Sequence, residues 1–515
     1  MCGLLFSTIA YNKDEFKKAL STMEYRGPDV PLNYYEHNEF RLGHNRLSIL
    51  DTQHGNQPYF SEDRRYVIVY NGEIYNYLEL AKEYSVHLET HCDTELVIKL
   101  YQKIGEECVS KFNGMFAFVI LDLQTNEYFV ARDRLGIKPL YVYEKNGGYI
   151  FSSEVAPILS LTGENSLDEF GIRQYKKLRT FFNGRTAFSN IKMFDAGCYL
   201  KNNKKQRYWH FVIDKKEAPS EEELRELLTS AVNYRMIADV PLGSYLSGGL
   251  DSSIIAKIIA DSKKEHFHTW TVGFEHNNEF EWGQIAAHHI GSKQHEILMD
   301  NEEFIHLLKE MISIRKEPIS VPNEVLIYKM TKEAKKYSTV LLSGEGADEL
   351  FFGYNRIFQW AHENSFSIKD FTEKYAYGSN EDYEVIEDAL SPYVNQYDNC
   401  LDIVAAFFQI SHLHGLLRRL DSASMLAKVE ARVPFVDHRI VERMAGVPFN
   451  QRTNISRPKE LLKNAFSSAL PESIIDRKKV GFPVDLDKVL SSVKAEGKGY
   501  DKWLNLNLQI LQEVI

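Results

Sequence analysis

Cysteine is scarce in this sequence. The five among 515 residues, Cys2, Cys92, Cys108, Cys198 and Cys400, form no Cys-x-x-Cys pair. That excludes a disulfide framework and a zinc site built on paired thiolates, and the odd, scattered set points to a reducing compartment. An excess of positive charge is also missing. With 61 Lys and Arg against 72 Asp and Glu the formal net charge is -11, which excludes a general nucleic-acid binder. No uninterrupted apolar run reaches bilayer-spanning length, and the short apolar stretch after Met1-Cys2-Gly3 is no signal peptide. Metal-ligand spacing is absent too: His91, Cys92 and Asp93 are adjacent, and His412 and His414 fall on different faces of a helix. Together these absences read as a cytoplasmic chain without membrane or nucleic-acid partners. What remains, 44% hydrophobic and 26% charged residues, is ordinary for a globular protein of two to four domains.

The chain changes character near its middle. Up to about residue 205 it is rich in short β-type segments: Leu4–Ser7, Phe40–Asn45, Tyr66–Tyr70, Phe116–Asp122, Tyr128–Arg132, Tyr141–Tyr143 and Tyr149–Ser152. A helix near Glu95–Ile104 interrupts them. Many strands and few helices predict stacked sheets with helical cover. Lysines and asparagines at Lys201–Lys205 break the pattern, and Ser220 with Glu223 reads as a capping box opening a helix. The boundary is placed between 205 and 220, giving domains 1–210 and 211–515. In the second, candidate strands Val240–Leu246, Thr269–Phe274 and Thr339–Leu342 alternate with helices, and residues 400–470 read as helical. That alternation predicts a parallel sheet with ligands bound beyond the carboxyl ends of its strands.

Two stretches fall at that edge. In Leu246-Ser247-Gly248-Gly249-Leu250-Asp251-Ser252-Ser253, an apolar strand runs into a Gly/Ser turn that opens a helix with Ile254, Ile255, Ile258 and Ile259 at helical spacing. Such a turn gathers backbone N–H groups at the positive end of a helix dipole, an anion site. It lacks the lysine and spacing of a Walker A loop, so a different nucleotide chemistry is indicated. The other stretch is Ser343-Gly344-Glu345-Gly346-Ala347-Asp348-Glu349.

Cys2 directly follows the initiator Met. Removal of that Met would leave a thiol whose own α-amine can act as its base. Taken singly, the residues around it have plain explanations: Asn71-Gly72 is a β-turn dipeptide, Asp93 a helix N-cap, Arg46 a solvated charge, Arg26-Gly27-Pro28-Asp29 a turn.

Taken together, Met1-Cys2-Gly3, Arg26–Asp29, Gly43–Ile49, Asn71–Asn76, Gly114–Phe118, Arg132–Tyr141 and Ser152–Glu154 resemble the class II glutamine amidotransferase domain. The resemblance implies an α+β N-terminal nucleophile fold, a four-layer α-β-β-α sandwich. It makes Cys2 the nucleophile on the glutamine amide and Asn71 and Gly72 the oxyanion hole. The glutamine site would comprise Arg46, Leu47, Ser48, Ile49, Leu50, Asn71, Gly72, Glu73 and Asp93, with Arg46 on the α-carboxylate and Asp93 facing the α-ammonium.

The second half resembles the ATP-pyrophosphatase group. The motifs that carry this are Ser247–Ser253, Val272-Gly273-Phe274, Leu342–Phe351, Leu420–Met425 and Val429–Asp437, with Lys459 ahead of Leu461-Leu462-Lys463. The whole chain therefore resembles the glutamine-hydrolysing asparagine synthetase family. That implies an α/β domain with a parallel sheet and a helical C-terminal part. It also implies an acyl-adenylate mechanism in which ATP and ammonia amidate a carboxylate, with L-aspartate as the default acceptor. ATP would contact Leu246, Ser247, Gly248, Gly249, Asp251, Ser252, Val272, Ser343, Gly344 and Tyr354. Asp251 and Asp348 would hold Mg2+, Lys459 would steady phosphate charge, and Glu345 and Tyr354 would sit by the acyl centre. An apolar ammonia passage is expected between the domains, with Met115 and Met425 in its lining, and a homodimer is expected. Asp421, Glu430, Arg432 and Asp437 read as a structural ion-pair network.

Three features depart from the family pattern. Lys316-Glu317-Pro318 stands where relatives often show Asp-Glu-Pro, Phe352-Gly353-Tyr354 replaces Gly-Gly-Tyr, and little sequence follows Arg477–Pro483. They leave open a different acceptor, such as a sugar acid or a secondary-metabolite precursor. A non-catalytic regulatory paralogue is a further alternative, against which intact Cys2, Asn71-Gly72, the Ser247–Ser253 loop and Lys459 weigh. So is an amide synthetase that no longer uses glutamine, against which Cys2 weighs.

Overall fold

A computed structural model describes residues 2–263, 266–377, 381–478 and 484–515. Met1 and the Lys479-Val480-Gly481-Phe482-Pro483 part of the C-terminal motif lie outside the described residues.

The first half is built from strands β1 (Cys2–Ser7), β2 (Asn33–His37), β3 (Phe40–Arg46), β4 (Tyr59–Phe60), β5 (Tyr66–Ile74) and β6 (Gly114–Asp122). They are followed by β7 (Tyr128–Arg132), β8 (Tyr141–Lys145), β9 (Gly148–Ser152), β10 (Ile191–Met193), β11 (Cys198–Lys201) and β12 (Lys204–Arg207). One antiparallel sheet has the order β10-β8-β9-β1-β3-β2, the other β12-β11-β7-β6-β5-β4. The period-2 alternation of side chains assigns the faces. Val67 and Val69 of β5 and Ala117, Val119 and Leu121 of β6 join Leu4, Phe6 and Leu42 in the core between the sheets. The alternate residues Ile68, Tyr70, Phe116, Phe118 and Ile120 pack instead with Leu96, Val97 and Leu100 of the helix Asp93–Ile104. Helices Lys13–Ser21 and Val155–Thr162 pack together against the first sheet. The layers run α-β-β-α, as expected.

Local expectations fared unevenly. Asn71-Gly72 is no turn: both residues lie inside β5, opposite Ala117 and Phe116 of β6. The Lys201–Lys205 stretch does not end the sheet; β11 and β12 form a hairpin around Asn202 and Asn203, both at positive φ. Of the Ser220 capping box only one half forms. Ser220 accepts from the Glu223 N–H, while the Glu223 carboxylate is drawn to Arg443. The reciprocal box sits instead at Asn12 and Glu15, which the sequence reading passed over.

After β12 the chain runs without strand or helix to Ser220, lying along the second half: Trp209 Nε1 donates to Glu442 at 2.7 Å, and Lys216 Nζ to the Glu442 carbonyl at 2.8 Å. The second half carries a parallel sheet of β13 (Leu242–Tyr245), β14 (His268–Gly273), β15 (Lys293–Leu298), β16 (Val340–Leu342) and β17 (Glu430–Arg432) in the order β15-β14-β13-β16-β17. The Ser247 loop follows β13 and the Ser343 loop follows its neighbour β16, so both motifs emerge at one sheet edge. β15 and β17 were not foreseen, since β15 alternates with exposed polar residues and β17 is three residues long.

One continuous helical run, Cys400–Leu426, is long and apolar enough to cross a membrane by length and composition, although Arg418, Arg419 and Asp421 interrupt it. Its mean hydropathy is 1.4 over an 18-residue window that is 61% buried inside the protein. It packs against the helix Asn323–Ala334. Residues Phe407–His412 at its centre form a π-helical turn, a feature common near functional sites.

Charged side chains cross between the two halves in fully buried positions. Arg26 pairs with Glu154 at 2.6 Å and Asp421 at 3.0 Å, and Lys138 reaches Asp421 at 3.3 Å. Asn113 donates to Asp437 at 3.1 Å, and Tyr141 OH to Glu317 at 2.8 Å. Removing one partner of such a cluster strands a buried charge. Asp421→Ala is therefore expected to cost about 3–5 kcal/mol, read as a lower chemical-denaturation midpoint. An unchanged midpoint would mean that Glu154 alone satisfies Arg26.

Candidate active sites

At the first site, Cys2 begins β1 and is only 8% exposed. Its backbone nitrogen, the future α-amine if Met1 is removed, donates to Asn71 Oδ1 at 3.0 Å, and its carbonyl accepts from Arg26 Nε at 3.1 Å. Burial pushes the Cys2 thiol up, while a backbone hydrogen bond from Leu47 and the Arg46 charge work the other way. A thiol so raised needs a base at hand. Asn71 Nδ2 is buried with no hydrogen-bond partner among the described residues. A spare donor on the side chain that holds the Cys2 nitrogen is what an oxyanion hole requires. A Cβ on Gly72 would lie 2.2 Å from the Met115 carbonyl, so only glycine fits this point of the strand.

Asp93 does not cap its helix. It is the first helical residue, and Cys92 at the cap position makes no side-chain capping bond. Asp93 Oδ2 instead accepts from Tyr70 OH at 2.7 Å and the Ile74 N–H at 2.8 Å. Burial raises its pKa to about 6 against those bonds. Glu73, also buried, is pushed well above the carboxylate range by burial and then by Asp93 and Glu430, with Arg432 opposing from 3.5 Å. Two carboxylates this close favour the arrival of a cation.

Arg46 is not the solvated charge of its plain reading. It is buried, Nη1 donates to Thr52 O and Asn56 Oδ1, and Nη2 to Leu50 O and Asp51 O. Its fork thus shapes the 50–56 loop. Leu47, Ile49 and Leu50 are buried, while the Ser48 N–H donates to Asp29 at 2.7 Å. The Ile49 carbonyl accepts from Asp239 N–H of the second half at 2.9 Å. Tyr70 was missed because nothing in an apolar strand marks one tyrosine as a carboxylate's partner.

At the second site the Ser247 loop is internally stapled. Ser247 Oγ accepts from the Gly249 N–H at 3.3 Å, Ser252 Oγ donates to the Gly249 carbonyl at 3.2 Å, and the two hydroxyls lie 3.2 Å apart. The helix Leu250–Lys263 starts at once. Across the cleft, Lys459 Nζ meets Asp251 at 2.6 Å and Asp348 at 2.7 Å. Burial alone would lower the Lys459 pKa, yet the two carboxylates raise it above the ordinary lysine value, so the ammonium is permanent. Lys459 holds a left-handed backbone (φ 58), steadied by its N–H on Thr453 Oγ1 at 3.0 Å. A Cβ on Gly353 would stand 2.0 Å from Asp348 Oδ1 and 2.4 Å from Lys459 Cε; glycine there permits the convergence.

Two cavities adjoin, sharing Ser247, Gly249, Asp251 and Gly353 as a wall. The larger, about 650 Å3, is bordered by Leu246, Ser252, Ser343, Gly344, Glu345 and Tyr354. The other, about 480 Å3, is faced by Lys459, Lys463, Arg477 and Lys478. Gly248 and Val272 belong to neither lining. A Cβ on Gly248 would meet the Trp282 backbone at 2.3 Å, so this glycine serves helix packing, and Val272 is 2% exposed in the core. Trp270 and Thr271, which precede Val272 on the same strand, border the larger cavity. Arg477, which donates to the Ser247 carbonyl at 3.2 Å and pairs with Glu279, was missed; the basic run Arg477-Lys478-Lys479 was its only signal.

Two carboxylates facing one cationic point suit Mg2+, which takes one or two carboxylates and completes its shell with phosphate oxygens and water. Among the described residues no cluster of three His, Cys, Asp or Glu could hold a metal unaided. Glu345 pairs with Arg419 at 3.2 Å, and Tyr354 OH donates to Glu349 at 2.7 Å. The departure at Lys316 does not touch this site: Lys316 Nζ donates to the Val514 carbonyl at 2.7 Å. Glu317 is locked by Arg315 at 3.0 Å and Arg418 at 2.6 Å.

The sites meet at β17. Arg432 pairs with Glu430 at 2.5 Å and with Glu73 of the first site, while its carbonyl accepts from the Ser343 N–H of the second at 2.8 Å. The four residues expected to form one ion-pair network fall into three clusters between the two halves: Arg432 with Glu430 and Glu73, Asp421 with Arg26 and Lys138, and Asp437 with Arg235 at 2.9 Å and Arg439 at 2.8 Å.

Residues 1–210 match the glutamine amidotransferase domain, and residues 223–504 match asparagine synthase. The chain is 29% identical to asparagine synthetase [glutamine-hydrolyzing] 1 of Bacillus subtilis over 566 aligned residues, 94% of this chain and 87% of that protein. It is 34% identical to the putative asparagine synthetase [glutamine-hydrolyzing] 2 of Methanocaldococcus jannaschii over 392, covering 69% and 76% of the two chains. Against asparagine synthetase B [glutamine-hydrolyzing] of Escherichia coli the identity is 29% over 497, covering 90% and 78%.

A glutamine α-ammonium arriving at Asp93 would favour its ionised form, and the Asp93 pKa is about 6 without one. The KM for glutamine is therefore expected to climb about tenfold per pH unit below pH about 6 and to level off above it. Asp93→Asn should remove that break and raise KM throughout. The same break in the Asn variant would assign it to another group.

Proposed function

This chain belongs to the glutamine-hydrolysing asparagine synthetase family, and from that premise we propose how its residues divide the work of a glutamine-dependent, ATP-driven carboxylate amidation. The α-amine of Cys2 takes the thiol proton, and Sγ attacks the carboxamide carbon of glutamine. Asn71 Nδ2 and the Gly72 N–H carry the oxyanion. Asp93 and Glu73 hold the α-ammonium, and the Arg46 loop with Leu47, Ser48, Ile49 and Leu50 holds the rest. Ammonia leaves with the returned proton, and water cleaves the thioester to glutamate. These roles follow the family's motifs residue by residue; the orphaned Asn71 donor beside the Cys2 nitrogen supports them.

At the second site a carboxylate oxygen attacks the α-phosphorus of ATP, the α–β bridge breaks, and pyrophosphate departs into the loop Ser247–Ser252. Ammonia then adds to the acyl carbon, Glu345 receives a proton, and AMP leaves as the amide forms. Asp251 and Asp348 would hold Mg2+, which would neutralise charge on the polyphosphate. Lys459 steadies the phosphates. The observation that carries this reading is the convergence of Asp251, Asp348 and Lys459 beside the stapled Ser247 loop. Met115 and Met425, both fully buried in one apolar cluster, are the proposed lining of the ammonia passage. The halves are proposed to divide at residue 210, the chain to pair as a homodimer and to work in the cytoplasm.

L-Aspartate is the acceptor that the relatives' names support. A larger carboxylate, a sugar acid or secondary-metabolite precursor, would use the same machinery, and the choice lies with the cavity beyond Tyr354.

Cys2→Ala is expected to abolish glutamine-driven amidation while sparing ammonia-driven amidation; equal loss of both would contradict the two-site mechanism. Lys459→Ala should lower pyrophosphate release by roughly 10²–10³-fold and leave glutamate release in place, measured side by side. No glutamate release by the unmodified enzyme would return the chain to a regulatory role.

A further inference from the structure

Behind the nucleotide cleft lies a third cavity of about 420 Å3. It shares Arg179, Val321, Tyr354 and Arg419 with the cleft, so the two are continuous at the acyl centre. A carboxylate activated beside Glu345 and Tyr354 would project the remainder of its molecule into this space.

The lining is strongly one-sided in charge. Arg179, Arg356, Lys374 and Arg419 border it, and no Asp or Glu does among the described residues. Arg419 pairs with Glu345, but no carboxylate pairs with Arg179, Arg356 or Lys374 among the described residues. Arg179 stacks on the Tyr377 ring at 3.6 Å, which fixes its plane, and the Nε of Arg179 and of Arg419 are buried without a hydrogen-bond partner there. Buried guanidinium donors without acceptors are costly unless a ligand completes them. Glu345 stands at the junction with the cleft, held there by Arg419, and Glu349, 1% exposed, accepts the Tyr354 hydroxyl behind the wall. The π-helical turn Phe407–His412 brings Phe408 and His412 to the lining, where they join Tyr354 and Tyr375. Aromatic faces and hydroxyls of this kind hold a ring or a polyol.

Free L-aspartate fits this space poorly. Its α-ammonium would enter a space bordered by four cations, where the one carboxylate at the junction, Glu345, is already held by Arg419, and a cavity of this volume accommodates a larger ligand. We propose that the acceptor carboxylate is carried on a larger scaffold bearing at least one further anionic group, phosphate or carboxylate, which Arg179 and Lys374 hold in the cavity behind Tyr354. This inference rests on the amidation reading and adds the substrate class. Arg356 guards the exposed rim, so it would steer the anion more than grip it.

The test is calorimetric titration of the full chain with three probes: glucuronate 1-phosphate, glucarate and L-aspartate. At least one of the first two is expected to bind about tenfold or more tightly than L-aspartate, and which one does identifies the anionic group. Arg179→Gln combined with Lys374→Gln should weaken that probe about tenfold more than it weakens L-aspartate. Both residues are part-exposed, and an unchanged unfolding midpoint certifies the fold. L-Aspartate binding as tightly as both other probes, or a double variant that holds them as the unmodified chain does, would overturn the proposal. Pyrophosphate release with L-aspartate and ammonium would in that case leave the amidation reading standing. Failure of the amidation reading has its own signature, the absence of glutamate release from glutamine.

Discussion

The placement of both sites depends on charges buried where the two halves meet. Taking a guanidinium or carboxylate out of water is expensive, and the cost is recovered only when partners are close and complete. Arg26 satisfies that condition by using three acceptors at once: the Cys2 carbonyl, Glu154 and Asp421. The strand that begins with the nucleophile is thereby tied to the long helix that ends at Leu426. Arg432 does the same from the other side, with its carbonyl on the Ser343 N–H and its guanidinium between Glu430 and Glu73. A shift of either half would leave several charges unpaired at once, a steeper penalty than apolar surfaces sliding on each other. Rigid relative placement would serve the proposed transfer of ammonia between the two reactions.

Convergence has a second cost, paid in backbone strain. Lys459 sits in a left-handed conformation, and Phe352, beside Gly353, does too. Such residues persist where the surroundings over-determine them, and they cluster at functional sites. The strain at Lys459 places its ammonium between Asp251 and Asp348, which come from a helix start and a short helix on neighbouring strand ends. Gly353 supplies the space that lets these three groups crowd together.

The sequence disclosed what is periodic or contiguous. Alternating runs located most strands of the sandwich, and the Ser247 and Ser343 loops stood out because residue type, spacing and the strand before them agree. Arg46, Glu73 and Asp93 were legible as site candidates, but their partners were not. Tyr70 reaches Asp93 across 23 residues and Arg432 reaches Glu73 from the other half of the chain, and no local pattern encodes either pairing. β15 and β17 were hidden because one alternates with polar residues on an exposed face and the other is too short for a period. At Gly248 a Cβ would run into the Trp282 backbone, a packing demand that the motif alone does not disclose. The Lys316 departure stands out because relatives often show Asp-Glu-Pro there; in the fold its side chain reaches the Val514 carbonyl of the C-terminal helix, while Glu317 lies in the buried network.

Two of the places proposed for substrates are electrostatically unfinished, with opposite signs. Around Asp93 and Glu73 there is too much negative charge for the burial, and both carboxyls are displaced upward as a result. Behind Tyr354, Arg179, Arg356 and Lys374 border a space whose lining holds no acid among the described residues. Beside the Ser247 loop the charge is balanced within the chain instead: Lys459 meets Asp251 and Asp348, Lys463 meets Asp476, and Arg477 meets Glu279. A protein selected only for stability would neutralise the first two imbalances internally, because each one raises the energy of the folded chain. Their differing signs fit the proposed ammonium at the first and the proposed anionic acceptor at the second. A polyphosphate entering the Ser247 loop would instead have to compete with carboxylates for Lys459, Lys463 and Arg477, and a divalent cation arriving with it would compensate the carboxylates so released.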